Sequence, residues 1–131
     1  MEYVVLVTAA ALLQFTWFGM QVGRARARCG VPAPATAGHP EFERYYRVHM
    51  NTLEQLAMFL PLLWMFATYV SALWGAALGA VFIVGRAIYA RAYVRDPASR
   101  SLGFGVTFLP MLAMLLGVLA WAIHALIFKL A

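Results

Sequence analysis

The chain has 131 residues, of which 64% are hydrophobic and only 11% are charged. This balance lies well outside that of a soluble globular domain and indicates a membrane protein, and the length allows a single domain over residues 1–131. The formal net charge is +5. Because the arginines cluster beside long apolar runs, we expect them to meet anionic lipid headgroups or an acidic substrate, and we expect no nucleic acid partner.

Four segments predict an all-α fold, an integral membrane four-helix bundle. The first span covers about residues 3–23, and the basic run that follows it is typical of a retained anchor rather than a cleaved signal peptide. The second is expected at about 41–69, because Pro40 suits a first helical turn and Glu41 and Glu43 favour the positive end of the helix dipole. The third is expected at about 74–94, before the helix stop at Asp96-Pro97, and the fourth at about 102–128.

This arrangement places most of the arginines on one membrane face. The opposite face has only Glu2 and Lys129 near its helix ends. The positive-inside rule then predicts that the basic face is cytoplasmic, and the short basic loops favour a bacterial inner membrane. The arginines on this face are Arg24, Arg26, Arg28, Arg44, Arg47, Arg91, Arg95 and Arg100.

The second predicted span contains a polar stripe. Arg47, Asn51 and Glu54 are spaced i, i+4 and i+7, so they project from one face of a helix. Ionisable groups are costly inside a bilayer and usually mark a site, although an ion pair between packed helices would also account for Arg47 and Glu54. Several arginines beside so few carboxylates favour an anionic ligand bound through its carboxylates.

A second stripe lies on the third span, where Arg86, Tyr89 and Tyr93 follow the i, i+3, i+7 spacing at a similar depth. The two stripes predict one pocket, although taken alone the tyrosines are also typical of an interfacial aromatic belt. His49 is either an interfacial histidine or a ligand contact. No CxxC, HExxH or phosphate-binding glycine loop is present, so no metal site is predicted, and the lone Cys29 is interpreted as a tolerated thiol.

Two motifs resemble the signature of the MAPEG superfamily, the membrane-associated proteins in eicosanoid and glutathione metabolism. They are FERYYRVHMNTLEQ at 42–55, with its R-x-x-x-N-x-x-E core, and VGRAIYARAYVRDPASR at 84–100. The resemblance covers nearly the whole chain. It implies a homotrimer of four-helix subunits in a lipid membrane, with glutathione bound as co-substrate at each subunit interface.

The resemblance also implies roles for individual residues. Arg100 takes the place of the arginine that activates the thiol in leukotriene C4 synthase-like members. The site within one subunit would comprise Arg47, Asn51, Glu54, Tyr89 and Tyr93, and Arg26 and His49 would reach it from the neighbouring subunit. The stripe on the third span adds Arg86 to this set.

The implied activity is a glutathione S-transferase that conjugates the glutathione thiolate to a lipophilic small-molecule electrophile, with glutathione peroxidase as a side activity. An arginine near sulfur favours the thiolate, which is the nucleophilic form. The alternative is a MAPEG-like lipid-binding or scaffold protein without catalysis. The sequence departs from its relatives at Gln55, where eukaryotic members often have tyrosine, and at Ala27, where leukotriene synthase-like members have a second arginine.

Overall fold

The structure is a computed structural model that describes residues 1–130. Its four long helices are α1 (Glu2–Cys29), α2 (Pro40–Tyr69), α3 (Ala72–Arg95) and α4 (Ser101–Leu130). A short 3-10 helix, Pro97–Arg100, precedes α4, and residues 1–130 contain no strand. The predicted all-α fold with four long helices is confirmed.

The helix ends follow from local capping. Gly30 ends α1 in the left-handed conformation (φ 64°), which glycine adopts without steric cost. Pro40 occupies the first turn of α2, and the preceding His39 accepts a hydrogen bond from the backbone there. Ser71 caps α3 through its side chain, and Asp96 caps the 3-10 helix in the same way. Because the turns between α2, α3 and α4 are short, consecutive helices run antiparallel. The arginine-rich segments at the end of α1, the start of α2 and the connection from α3 to α4 therefore lie at the same end of the bundle.

Three helical segments are long and apolar enough to cross a membrane: Glu2–Cys29, Ala72–Arg95 and Pro97–Lys129. Helix α2 is not among them, because the charged side chains of its first half lower its mean hydropathy. Its 30 residues extend over about 45 Å, which exceeds a hydrocarbon core of about 30 Å. That α2 forms a fourth span stays a prediction.

The half of the bundle far from the arginines is packed from apolar side chains. The rings of Phe59 on α2 and Phe82 on α3 stack with their centroids 3.8 Å apart. Both are fully buried, as are Leu63 and Met114, which belong to the same cluster. Helix α4 thereby packs against α2 and α3. Its outward face carries exposed apolar side chains, as expected for a surface in contact with lipid.

Helices α3 and α4 approach each other closely where glycines face the partner helix. A Cβ atom on Gly85 would lie 2.7 Å from the backbone nitrogen of Thr107, and one on Gly103 would overlap the backbone of Tyr89. Small residues allow such approaches between membrane helices. This contact fixes the position of Tyr89 relative to the start of α4, and the 3-10 helix with Arg100 lies directly before that start.

Candidate functional site

The polar stripe on α2 is organised around one carboxylate. Arg47 Nη1 lies 3.3 Å from Glu54 Oε1, and Asn51 Nδ2 donates to Glu54 Oε2 at 3.2 Å. The side chains of Arg47 and Glu54 are 51% and 52% exposed. The ion pair therefore runs along one helix and stays open to a ligand, rather than joining two packed helices. The buried Oδ1 of Asn51 has no hydrogen-bond partner among the described residues.

Arg86 lies inside the bundle instead of on its surface. Its side chain has no exposed area, and Nη2 donates to Thr52 Oγ1 at 2.8 Å. Its Nε and Nη1 atoms lack hydrogen-bond partners in residues 1–130. The guanidinium carbon lies 4.2 Å from the ring centroid of Tyr89, which is a cation–π distance. In this conformation Arg86 packs against the ring of Tyr89 inside the bundle. It is not accessible to a ligand, contrary to its predicted place in the site.

Tyr89 is the point at which the candidate residues of different elements meet. Its ring is 3% exposed and stacks against Tyr93, with the centroids 5.5 Å apart. Its phenol lies within electrostatic range of the guanidinium groups of Arg86, Arg47 and Arg100. Tyr89 thus lies near both Arg47 of the stripe on α2 and the exposed Arg100 that precedes α4.

The two residues that the resemblance assigned to a neighbouring subunit lie elsewhere in the chain. Arg26 Nη1 donates to the carbonyls of Val31 (3.2 Å) and Ala35 (2.8 Å), and its guanidinium lies over the ring of Phe42. His49 stacks on Phe15 of α1 with the centroids 4.4 Å apart. At two residues from Arg47, His49 projects from the far side of α2. Within one chain, neither residue approaches the stripe.

The two cavities that stand out in the structure do not coincide with the stripe. One of about 430 Å³ is lined by Arg26 and the turn after α1. The other, of about 660 Å³, opens between α1, α2 and α3 and is lined by residues such as Phe18, Val48 and Arg91. We call it the α1–α2–α3 groove. The stripe itself forms an open polar face, which a second copy of the chain would have to cover to make an enclosed pocket.

One cluster of possible metal ligands is not evident from the sequence, because its members are separated by the loop between α1 and α2. The possible ligand atoms of Cys29, His39 and Glu41 lie within 4.8 Å of one another. They are already engaged: His39 Nδ1 accepts from the backbone of Glu41 at 3.2 Å, and the carboxylate of Glu41 pairs with Arg28 and accepts from Cys29. These contacts hold the loop between the two helices.

Comparison with known proteins decides the family. The model of the MAPEG family matches residues 4–120. The chain belongs to the MAPEG family. The resemblance in its motifs is thereby confirmed, and the apolar helices and the family together identify an integral membrane protein.

Individual MAPEG relatives are similar over most of the chain. An uncharacterized protein of Synechocystis sp. is 46% identical over 114 residues, which are 87% of this chain and 83% of that protein. Human microsomal glutathione S-transferase 2 is 37% identical over 114 residues, 85% of this chain and 77% of the relative. Bovine leukotriene C4 synthase is 35% identical over 94 residues, 72% of this chain but only 63% of the relative.

Proposed function

We propose that this MAPEG protein is a membrane-bound glutathione S-transferase that joins the thiolate of glutathione to lipophilic electrophiles. The observation that carries the proposal is the half-exposed ion pair of Arg47 and Glu54 on α2, with Arg47 and Arg100 both within electrostatic range of Tyr89. Relatives named as a glutathione S-transferase and as leukotriene C4 synthase support the same reaction class. Peroxide reduction at the same site, in which two glutathione molecules are oxidised to the disulfide and the peroxide is reduced to an alcohol and water, is proposed as a side activity.

Arg47 and Glu54, which pair with each other on α2, can each bind a charged group of glutathione instead. Glutathione has two carboxylates and one amino group. Arg47 would turn from Glu54 to a carboxylate, and Glu54 would accept from the amino group, so the charges of both residues stay compensated. Since the pair is half exposed, its opening costs little.

Arg100 would stabilise the sulfur in its anionic form. A free thiol titrates near 8.5, and a cation held nearby lowers that value. Arginine stays protonated in proteins, so Arg100 acts by its charge, and the thiol proton leaves to water. The thiolate forms a carbon–sulfur bond with the electrophile. The displaced group departs with the bonding electrons, or an unsaturated acceptor takes up a proton from water.

Assembly and orientation complete the proposal. Arg26 and His49 lie away from the stripe of their own chain, and a homotrimer in which they reach the stripe of the neighbour would bring them to Arg47, Asn51 and Glu54. The basic end of the bundle would face the cytoplasm of a bacterial inner membrane, where glutathione is available. Lipophilic electrophiles would reach the thiolate from the bilayer.

The decisive experiment compares Arg100→Ala with the wild type in conjugating glutathione to a chromogenic electrophile. Loss of the cation raises the pKa of the bound thiol, so we expect the pH–rate profile to move upward by about one to three units, and the rate at neutral pH to fall about tenfold or more. Arg28→Ala is the matched control, since it removes an exposed arginine of the same membrane face. It should leave the profile unchanged.

Two results would overturn the proposal. An Arg100→Ala variant with the wild-type rate and profile would remove the thiolate assignment. A wild-type protein that shows neither the ultraviolet absorbance of a thiolate on adding glutathione nor any turnover would favour a MAPEG-like lipid-binding or scaffold protein without catalysis.

A further inference from the structure

The α1–α2–α3 groove extends from the hydrocarbon depth to the basic end of the bundle. Its inner wall is apolar, because Phe18, Val48 and Ala90 pack together there. Its lining on α3 runs from Ala87 to Arg95, which corresponds to about 12 Å along a helix. The groove thus has an apolar part deeper in the bundle and a basic part toward the arginine-rich end.

The basic part of the groove is formed by arginines that pair with no carboxylate of residues 1–130. Arg91 and Arg95 line it and are exposed. Arg24 lies over the ring of Trp17, another lining residue, at 5.1 Å from the centroid. The backbone carbonyls of Val94 and Arg95 accept hydrogen bonds from Arg44, at 3.2 and 3.1 Å. These oxygens are therefore occupied and do not satisfy the arginines of the groove.

No carboxylate of the described chain balances this charge, because the five acidic residues are engaged elsewhere and none of them lines the groove. Glu54 pairs with Arg47, and Asp96 accepts from the backbone of Ala98 at 3.0 Å. The remaining three contact the N-terminal amine, Arg28 and the backbone of Gly38; they are Glu2, Glu41 and Glu43. An anion from outside the chain is the matching partner for Arg91 and Arg95.

We propose that the groove binds an anionic phospholipid, with its phosphate between Arg91 and Arg95 and one acyl chain along the apolar wall. Basic pockets between membrane helices on the cytoplasmic side recognise such headgroups, and guanidinium groups bind phosphate through charge-assisted hydrogen bonds. The wall of the groove adjoins the thiol site, because Phe18, Val48 and Ala90 pack together with Tyr89. The lipid site is defined by Arg91 and Arg95, and its test by lipid binding does not depend on the proposed catalysis.

The test uses the full chain in a neutral detergent with phosphatidylglycerol or phosphatidylcholine carrying the same brominated acyl chains. Bromine quenches nearby tryptophan fluorescence, and Trp17 lines the groove. A variant that keeps Trp17 and has phenylalanine at Trp64, Trp74 and Trp121 reports on this site alone. We expect phosphatidylglycerol to quench at a concentration at least about fivefold lower than phosphatidylcholine, the effect of one arginine near a phosphate.

Arg91→Gln and Arg95→Gln should each reduce this preference about fivefold, whereas Arg28→Gln, an equal loss of charge on the same membrane face, should keep it. Native mass spectrometry of lipid bound to the protein with all its tryptophans gives the same comparison without the tryptophan substitutions. Equal binding of both lipids, or an equal loss in Arg28→Gln, would overturn the proposal. Quenching by neither lipid would also overturn it, and tighter binding of a fatty acid than of phosphatidylglycerol would assign the groove to lipophilic carboxylates instead.

Discussion

The same helices form both halves of the bundle, but the two halves bury different kinds of side chain. One half lies far from the arginines and the other lies near them. Far from the arginines, Phe59 and Phe82 stack inside a wholly apolar cluster. Near them, α2 and α3 bury Arg86 against Thr52 and Tyr89. The far half supplies packing, and the near half holds polar groups in place for a surface site. Substitutions in the two halves should therefore affect different measurements.

The largest effect on stability is expected in the far half. Phe82→Ala removes a fully buried ring and leaves a cavity beside Phe59, which should lower the free energy of unfolding by roughly 3 kcal/mol or more. Thermal unfolding in detergent measures this loss. Phe128→Ala, at a position that is 68% exposed, should change little. At temperatures where the Phe82 variant is folded, its KM for glutathione should equal that of the wild type; a raised KM would show that the halves are coupled.

The near half should show the opposite pattern. Glu54→Gln keeps the shape and the hydrogen bond with Asn51 but loses the charge that would hold the amino group of glutathione. Charge-assisted hydrogen bonds contribute about 1.5 to 3 kcal/mol, so KM for glutathione should rise about tenfold to a hundredfold. Stability should hardly change, because the ion pair with Arg47 is half exposed.

The control for this variant is Glu43→Gln, which removes a carboxylate near the start of the same helix. Glu43 accepts only from the backbone of Gly38 among the described contacts. Steady-state kinetics with varied glutathione should give an unchanged KM for this control. An unchanged KM in Glu54→Gln itself would remove Glu54 from the binding site.

The sequence was sufficient for the features that depend on periodicity and on strong local signals. Pro40 and Asp96-Pro97 bound the helices as expected, and the i, i+4, i+7 spacing put Arg47, Asn51 and Glu54 on one face. Spacing alone did not reveal the depth of Arg86, because its burial depends on how closely α2 and α4 pack against α3. The α1–α2–α3 groove was missed for a similar reason: it is formed by three helices, and each contributes only part of the wall.

The smallest expected effect is the stability contributed by the hydrogen bond of the buried Arg86, and a double-mutant cycle measures this contribution. Thr52 is the one hydrogen-bond partner of Arg86 among the described residues, so Thr52→Val leaves a further N–H group unsatisfied and should cost about 1 kcal/mol. Arg86→Met removes the buried charge and fills a similar volume, so it should cost nothing or stabilise the fold. In the Arg86→Met background, the added cost of Thr52→Val should fall to that of the lost hydrogen bond from Thr52 Oγ1 to the Val48 carbonyl, as measured by thermal unfolding. If that cost is the same in both backgrounds, the hydrogen bond contributes nothing, and Arg86 is held by its contact with Tyr89 alone.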